Sequence, residues 1–340
     1  MSRYQRIFVS DVHLSSQRLY DSKKAWYDSN NHRNRFLSFL DNQVLVKSKQ
    51  VKDLILLGDL FDNWVCPADE EPPTFNEILA ANPKELERLR KAINLGIKVF
   101  FVHGNHDYTL PKSLLEKEVP GLKVITAYKG AGRTHAEHGH LCTLFNRPDY
   151  LNDPAYGRPL GYYISRLHTS SNHAGFSFAD IVFALDDVLE AAVTSATMIE
   201  SLIEALAERA NNVTEIMMPG GQIKTIDEIK KQYRDLPTQQ GHSLLSLRTA
   251  IRELELGFHA DQLCRDFGFN VVLFGHTHHK KIDKDFLFVE DRIYANTGTW
   301  CDKNASCVIV EKYPLKSGIS VKLVDVDLNG SITNTRTRRL

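Results

Sequence analysis

Excess charge of either sign is missing from this chain: 42 Lys and Arg balance 42 Asp and Glu across 340 residues, leaving a formal net charge of zero. A general nucleic-acid binder needs a basic surface, so the balance argues against that class, though it does not exclude a local positive cleft. Cysteine is scarce and odd in number: five residues, at 66, 142, 264, 301 and 307, form no Cys-x-x-Cys pair. A disulfide framework and a structural zinc knot are therefore both poor fits, and a reducing cytoplasm suits the chain better. Long uninterrupted apolar runs are also missing. The most apolar stretch, 179–207, is broken by Asp180, Asp186, Asp187, Glu190, Glu200 and Glu204. A transmembrane helix needs about 20 mostly apolar residues, so no such segment is expected, and membrane contact would have to be peripheral. The chain enters its first apolar run without a basic-then-apolar leader, which argues against a secretory signal. Internal repeats and low-complexity tracts are absent, and nothing in the pattern specifies an oligomeric state.

What the chain does have is four short apolar runs that each lead into metal-binding side chains. Ile7-Phe8-Val9 precedes Asp11-Val12-His13, and Leu54 to Leu57 precedes Gly58-Asp59-Leu60-Phe61-Asp62. Val99 to Val102 precedes Gly104-Asn105-His106-Asp107, and Val271 to Phe274 precedes Gly275-His276-Thr277-His278. Apolar runs of this length read as buried strands. Strands that finish in Asp, His or Asn would line one edge of a sheet, where open α/β sheets hold ligands. Gly58 and Gly104 let the backbone turn sharply at two of those ends. Mixed carboxylate, amide and imidazole donors suit borderline divalent metals, manganese first, with iron or zinc as alternatives.

Residues 1–140 alternate strand and helix patterns. One helix is expected from Asn34 onward. A second is expected over Pro83–Ala92, with proline at its start and Gly96 beyond its end. That alternation predicts parallel pairing. A helical pattern over Ile181–Leu206 is followed by a break at Pro219-Gly220-Gly221 and a further helix over Leu244–Leu254. Strands return at 270–274, 286–290, 292–295, 306–311 and 319–328, close enough in sequence to suggest antiparallel pairs in a second sheet. The expected organisation is a core of 1–144 and 266–330, a helical insertion or lid at 145–265, and a frayed tail at 331–340.

In the order Asp-x-His, Gly-Asp-x-x-Asp, Gly-Asn-His-Asp, Glu137-His138-Gly139-His140 and Gly-His-x-His, the chain resembles the calcineurin-like metallophosphoesterases. The resemblance covers 7–140 and 270–302, and five ordered motifs make it specific. It implies an α/β architecture, a two-sheet α/β/β/α sandwich of metallophosphoesterase type with a helical insertion. It also implies two divalent cations sharing Asp59, one held by Asp11, His13 and His278 and the other by Asn105, His138 and His276. His106 matches the family's acid for the leaving oxygen, and Asp107 would orient its ring. Two cations about 3.5–4 Å apart can hold a shared hydroxide and both oxygens of an in-line displacement at phosphorus. The expected substrate is a small-molecule phosphomonoester, phosphodiester or pyrophosphate.

Within the family, Ser10 to Ser15 and Gly58 to Trp64 look most like the UDP-2,3-diacylglucosamine pyrophosphatases, which suggests a nucleotide- or lipid-linked substrate. The chain departs from them at His106, where that group carries Arg, and at His140, where it carries Asp. Competing expectations are a catalytically inactive binding scaffold of the same fold and a metallopeptidase; the missing His-Glu-x-x-His argues against the latter. Around the site, His135 and His140 rival His138. Asp62 reads as a carboxylate fixing a ligand imidazole or as a loop cap. Trp64 reads as a stacking platform or as core filling.

Overall fold

The first three apolar runs are continuous, so each strand needs cover on both faces and they assemble side by side inside the molecule. The computed structural model describes residues 4–27, 31–171, 195–239, 254–286, 290–302, 304–312 and 318–340. Its strands are β1 (Gln5–Val9), β2 (Val51–Leu57), β3 (Lys98–Val102), β4 (Lys123–Ile125), β5 (Tyr128–Gly130), β6 (Thr134–Ala136), β7 (Glu215–Met217) and β8 (Ile223–Thr225). They continue as β9 (Val271–Phe274), β10 (Lys281–Lys284), β11 (Ile293–Asn296), β12 (Ala305–Glu311), β13 (Ser320–Val326) and β14 (Ile332–Arg339). By contacts the chain divides into two units, the first made of 1–62, 75–139 and 256–340 and the second of 63–74 and 140–255.

In the first unit a seven-stranded sheet runs β14-β13-β12-β1-β2-β3-β4 and a five-stranded sheet runs β10-β11-β9-β6-β5. β1, β2, β3 and β4 are mutually parallel, as strand–helix alternation predicts. Successive side chains of a strand point to opposite faces. One set, Ile7, Val9, Leu54, Leu56, Val99 and Phe101, packs with Phe36, Phe39, Ile78, Leu86 and Leu89 of the helices Asn31–Phe39, Phe75–Ala81 and Pro83–Asn94. The other set, Phe8, Ile55, Leu57 and Val102, meets Ala136, Val271, Leu273, Ile293 and Ala295 between the two sheets. On the outer face of the second sheet, Phe274 stacks on His259 of the helix Leu254–Phe267 with ring centroids 5.9 Å apart. The layers are therefore α/β/β/α. Each buried aliphatic or aromatic side chain contributes roughly 1.5–3 kcal/mol.

Several expectations are corrected. Of the four strands carrying motifs, only three share a sheet; β9 belongs to the other one, between β11 and β6 and parallel to both. β12 and β13 do not join β9 but extend the first sheet, with β12 antiparallel to β1. The physical reason is that every residue of β12 is buried, so this strand needs cover on both faces and takes a central position. Residues 332–339, read as a frayed tail, form β14 against β13, and Leu340 exchanges backbone hydrogen bonds with Ile319 at 3.0 Å each way. Its alternating Thr and Arg side chains leave a charged edge that discourages further pairing. The helix Leu254–Phe267, expected in the insertion, packs on the core through Leu256, Ala260 and Leu263. The helix expected over 244–254 lies almost entirely outside the described residues, as do 287–289 of the strand expected at 286–290 and 181–194 of the longer helix.

The second unit holds the helices Leu160–Ser170, Ser195–Arg209 and Ile226–Tyr233 and a β7–β8 hairpin. Gly220 and Gly221, both at positive φ, make its turn where the helical pattern breaks. Arg166 is fully buried and donates to the carbonyls of Cys66, Pro67 and Met217 at 2.7–2.9 Å. Trp64 packs edge-on against Tyr162, centroids 5.8 Å apart, and is 2% exposed. It is a core filler, so the stacking role considered for it is discarded.

Candidate metal centre

Five of the expected metal-binding residues share a rare backbone state. Asp11, His13, Asp59, His276 and His278 have φ between 50° and 70°, the left-handed region that non-glycine residues seldom occupy. Such conformations cost of order 1–3 kcal/mol each and persist where the surroundings enforce them. Here they follow the ends of β1, β2 and β9, and they turn each side chain back over the strand tips. The loops interlock: Val12 and His13 both donate to Asp59 O at 3.0 Å, and His276 N donates to Asp11 Oδ2 at 3.0 Å. Gly104 is required beside them, because a Cβ there would overlap the Asp59 carboxylate.

The side chains converge. Ligand atoms of Asp11, His13 and His278 lie within 4.8 Å of one another, and so do those of Asp59, His138 and His276. The two groups adjoin: His138 Nε2 is 3.1 Å from Asp59 Oδ2 and 4.0 Å from Asp11 Oδ1. Asn105 Oδ1 faces the same nitrogen at 3.2 Å. His138, not His135 or His140, is thus the histidine of its motif that joins this cluster. His138 Nδ1 donates to Leu57 O at 2.8 Å, which leaves Nε2 as the inward nitrogen.

These donors fit cations. Asp11 Oδ1 is buried and faces His278 Nε2 at 3.3 Å and His138 Nε2 at 4.0 Å. His13 and His278 point their Nε2 atoms at each other at 3.1 Å. Two imidazole nitrogens and a buried carboxylate oxygen gathered within 4.8 Å of one another form a donor set with borderline-metal character.

Without a cation, charge balance falls to protons. Burial disfavours the charged form of His138, but the Asp59 and Asp11 carboxylates outweigh it and push its pKa up to about 9. Burial likewise opposes ionisation of Asp59 and Asp11, yet His138 beside them holds both below the usual carboxylate range. His106 follows the same logic: Asp62 and Asp59 overcome its burial and hold it above the ordinary imidazole value.

His106 is 5% exposed, with its backbone N–H on Asp59 Oδ1 at 2.8 Å. Its ring is held by Asp62, whose Oδ1 accepts from His106 Nδ1 at 2.9 Å, not by Asp107 as expected. The Asp107 carboxylate instead accepts backbone N–H groups of Gly104, Leu60 and Phe61 at 2.7, 2.9 and 3.2 Å. Those amides lie at the turns after β2 and β3, where unpaired N–H groups outcompete a neighbouring ring. Burial, with Asp59 nearby, raises the Asp107 pKa to about 7.

Sequence reading missed a fifth strand end, Asn296-Thr297-Gly298-Thr299-Trp300 after β11. Ser10 Oγ bonds Asp11 Oδ2 and Thr297 Oγ1, while Asn296 Nδ2 donates to Gly275 O at 2.6 Å. Thr299 Oγ1 and Trp300 N donate to Asp11 O at 3.1 and 3.0 Å. Trp300 also packs on Phe36 and Phe39, centroids 5.0 Å away, so the brace is anchored in the core. The available signal was an apolar strand ending in Asn, Thr and Gly, the same grammar as the recognised motifs without a histidine.

A family model described as calcineurin-like phosphoesterase matches residues 5–280. Curated relatives include proteins named UDP-2,3-diacylglucosamine hydrolase. That of Hamiltonella defensa is 31% identical over 126 residues, 36% of this chain and 40% of that protein. That of Salmonella agona is 34% identical over 127 residues, 36% of this chain and 43% of that protein. The chain thus matches less than half the length of these relatives. Among solved structures, Vps29 of Chaetomium thermophilum is 9% identical with a TM-score of 0.36, covering 100% of this chain and 97% of that one. A likeness at that level adds nothing to the argument.

Proposed function

Because the chain belongs to the calcineurin-like phosphoesterase family, we propose that it is a dinuclear-metal-dependent phosphoric ester hydrolase. The observation that carries this reading is the pair of adjoining donor groups, Asp11–His13–His278 and Asp59–His138–His276. In this proposal Asp11, His13 and His278 hold one divalent cation, Asn105, His138 and His276 hold the other, and Asp59 serves both. Bound there, the cations supply neutralisation of the phosphoryl oxygens and a water made acidic enough to attack at neutral pH.

The protein's own groups then divide the work. His138 is held to one orientation by the Leu57 carbonyl and His13 by Asp62, so neither ring has freedom to lose on metal binding. His106 is oriented through Nδ1 by Asp62, and its Nε2 is the atom assigned to deliver a proton to the leaving oxygen. General acid catalysis of this kind contributes roughly 10²–10⁴-fold, most for an alkoxide that cannot depart unprotonated. A phosphate leaving from a pyrophosphate needs no such help. The His106–Asp62 pair therefore favours a phosphoester over a phosphoanhydride, even though the relatives bear a nucleoside-diphosphate-sugar name. A nucleotide- or lipid-linked ester remains the substrate class those relatives suggest.

The test is a manganese-supplemented screen of phosphomonoesters, phosphodiesters and nucleoside-diphosphate conjugates, with metal content measured in parallel. Turnover of an ester with about two metals per chain supports the reading. Inertness toward all three classes at full metal occupancy defeats it in favour of a binding scaffold.

A further inference from the structure

Beside the metal centre lies an aromatic side chain that neither the motifs nor the proposed chemistry use. Trp26 is half-buried, and its indole centroid is 5.0 Å from the ring of His13, 5.5 Å from His106 and 5.9 Å from His278. One flat apolar side chain therefore borders both the candidate ligands of one cation and the candidate acid. Its loop is well anchored. Lys24 and Ala25 both donate to Leu19 O, at 3.0 and 3.2 Å, and Tyr27 next to it is fully buried. Tyr20, in the short helix before the loop, donates to Asn82 Oδ1 at 2.9 Å and accepts from Ser15 N at 2.7 Å. The indole is thus presented in a fixed place.

Resting on the phosphoesterase reading above, we propose that Trp26 is a specificity-determining residue that stacks on an aromatic leaving group of the ester, an aryl ring or a nucleobase. The leaving oxygen takes its proton from His106, so it must come within hydrogen-bond reach of that ring. Whatever is attached to the oxygen is then carried alongside an indole only 5.5 Å from the same imidazole. An aromatic ring there gains offset or edge-to-face packing with Trp26, and a small alkyl group does not.

The alternative is that Trp26 only holds His13 and His106 in place by packing, and the two roles separate experimentally. Binding of phenylphosphonate and methylphosphonate to the manganese-loaded protein is measured by calorimetry for wild type, Trp26→Ala and Trp26→Phe, with metal content confirmed in each. Trp26→Ala should weaken phenylphosphonate by roughly two- to twelvefold while methylphosphonate is unchanged, and Trp26→Phe should recover most of the loss. With phenyl phosphate as substrate, KM should rise and kcat hold. Equal weakening of both probes, or no change in either, overturns the proposal and leaves the phosphoesterase reading intact. Failure of wild type to bind either probe removes the phosphoryl site itself, and both readings fall together.

Discussion

His13 and His106 are bonded to opposite oxygens of one carboxylate. His13 Nδ1 donates to Asp62 Oδ2 at 2.8 Å and His106 Nδ1 donates to Asp62 Oδ1 at 2.9 Å. The two rings stand at 89° with centroids 4.7 Å apart. A candidate metal ligand and the candidate acid are thereby set by the same fully buried group, so disturbing Asp62 should disturb both.

Asp62→Asn leaves one oxygen for two N–H donors and turns an amide N–H₂ toward the other ring. Metal affinity and turnover should each fall about 10–100-fold. Manganese calorimetry and steady-state kinetics read the two separately. Turnover falling while affinity stays at the wild-type value would show that His13 does not depend on Asp62.

His106→Ala should keep its metal and lose roughly 10²–10⁴-fold in kcat, more for alkyl than for aryl esters. Asp59→Asn should lose metal and activity together. Metal analysis beside a leaving-group series distinguishes them, and a His106→Ala loss that ignores leaving-group basicity would remove His106 from the acid role.

Stability of the metal-stripped protein should fall as pH rises from about 6.5 to 9. His138 has an ordinary value of 6.5 and stands at about 9 in the folded protein, so the folded state keeps a proton that the unfolded chain releases. That stabilisation is complete below the unfolded value and is lost as pH climbs through the folded one. His106, also held above its ordinary value, acts with the same sign. Saturating manganese should flatten the slope, because the cation replaces the proton on Nε2. Scanning calorimetry across this window reads the effect; a Tm that rises or holds in the stripped protein contradicts it.

Thr297→Val removes the hydroxyl that bonds Ser10 Oγ, the group pinning Asp11 Oδ2, while keeping volume nearly constant. Metal affinity should drop about tenfold with little change in Tm. An unchanged manganese titration would mean that the brace after β11 serves only the fold.

Gly104→Ala should fold yet bind metal poorly, because the new methyl group collides with the Asp59 carboxylate. Circular dichroism beside metal stoichiometry gives the answer; full occupancy in this variant would show that Asp59 has room to move.

The layered core was legible because continuous runs of Val, Ile, Leu and Phe record which strands need cover on both faces. The parallel order β1-β2-β3 followed from the helices between them. β14 was not legible: its Thr and Arg side chains carry little apolar signal, and its position comes chiefly from backbone pairing with β13. Assignment of β9 and β12 to different sheets was equally hidden, since both are continuously buried and periodicity does not name a strand's neighbours.

For the site, residue type and motif order named Asp11, His13, Asp59, Asn105, His138, His276 and His278, because few other side chains offer such donors at strand ends. Of what supports them, the sequence offered only Asp62 as a carboxylate on a ligand imidazole, which is its contact with His13; tertiary structure decided the rest. Asp62 takes the ring of His106 while Asp107 goes to loop amides, Thr297 reaches Ser10 across 287 residues, and Trp26 arrives beside three imidazoles from a loop without a motif. Donor chemistry is written in one residue at a time and survives in the sequence. The orientation of a donor depends on hydrogen bonds between segments far apart in the chain, and those exist only once the two sheets have packed.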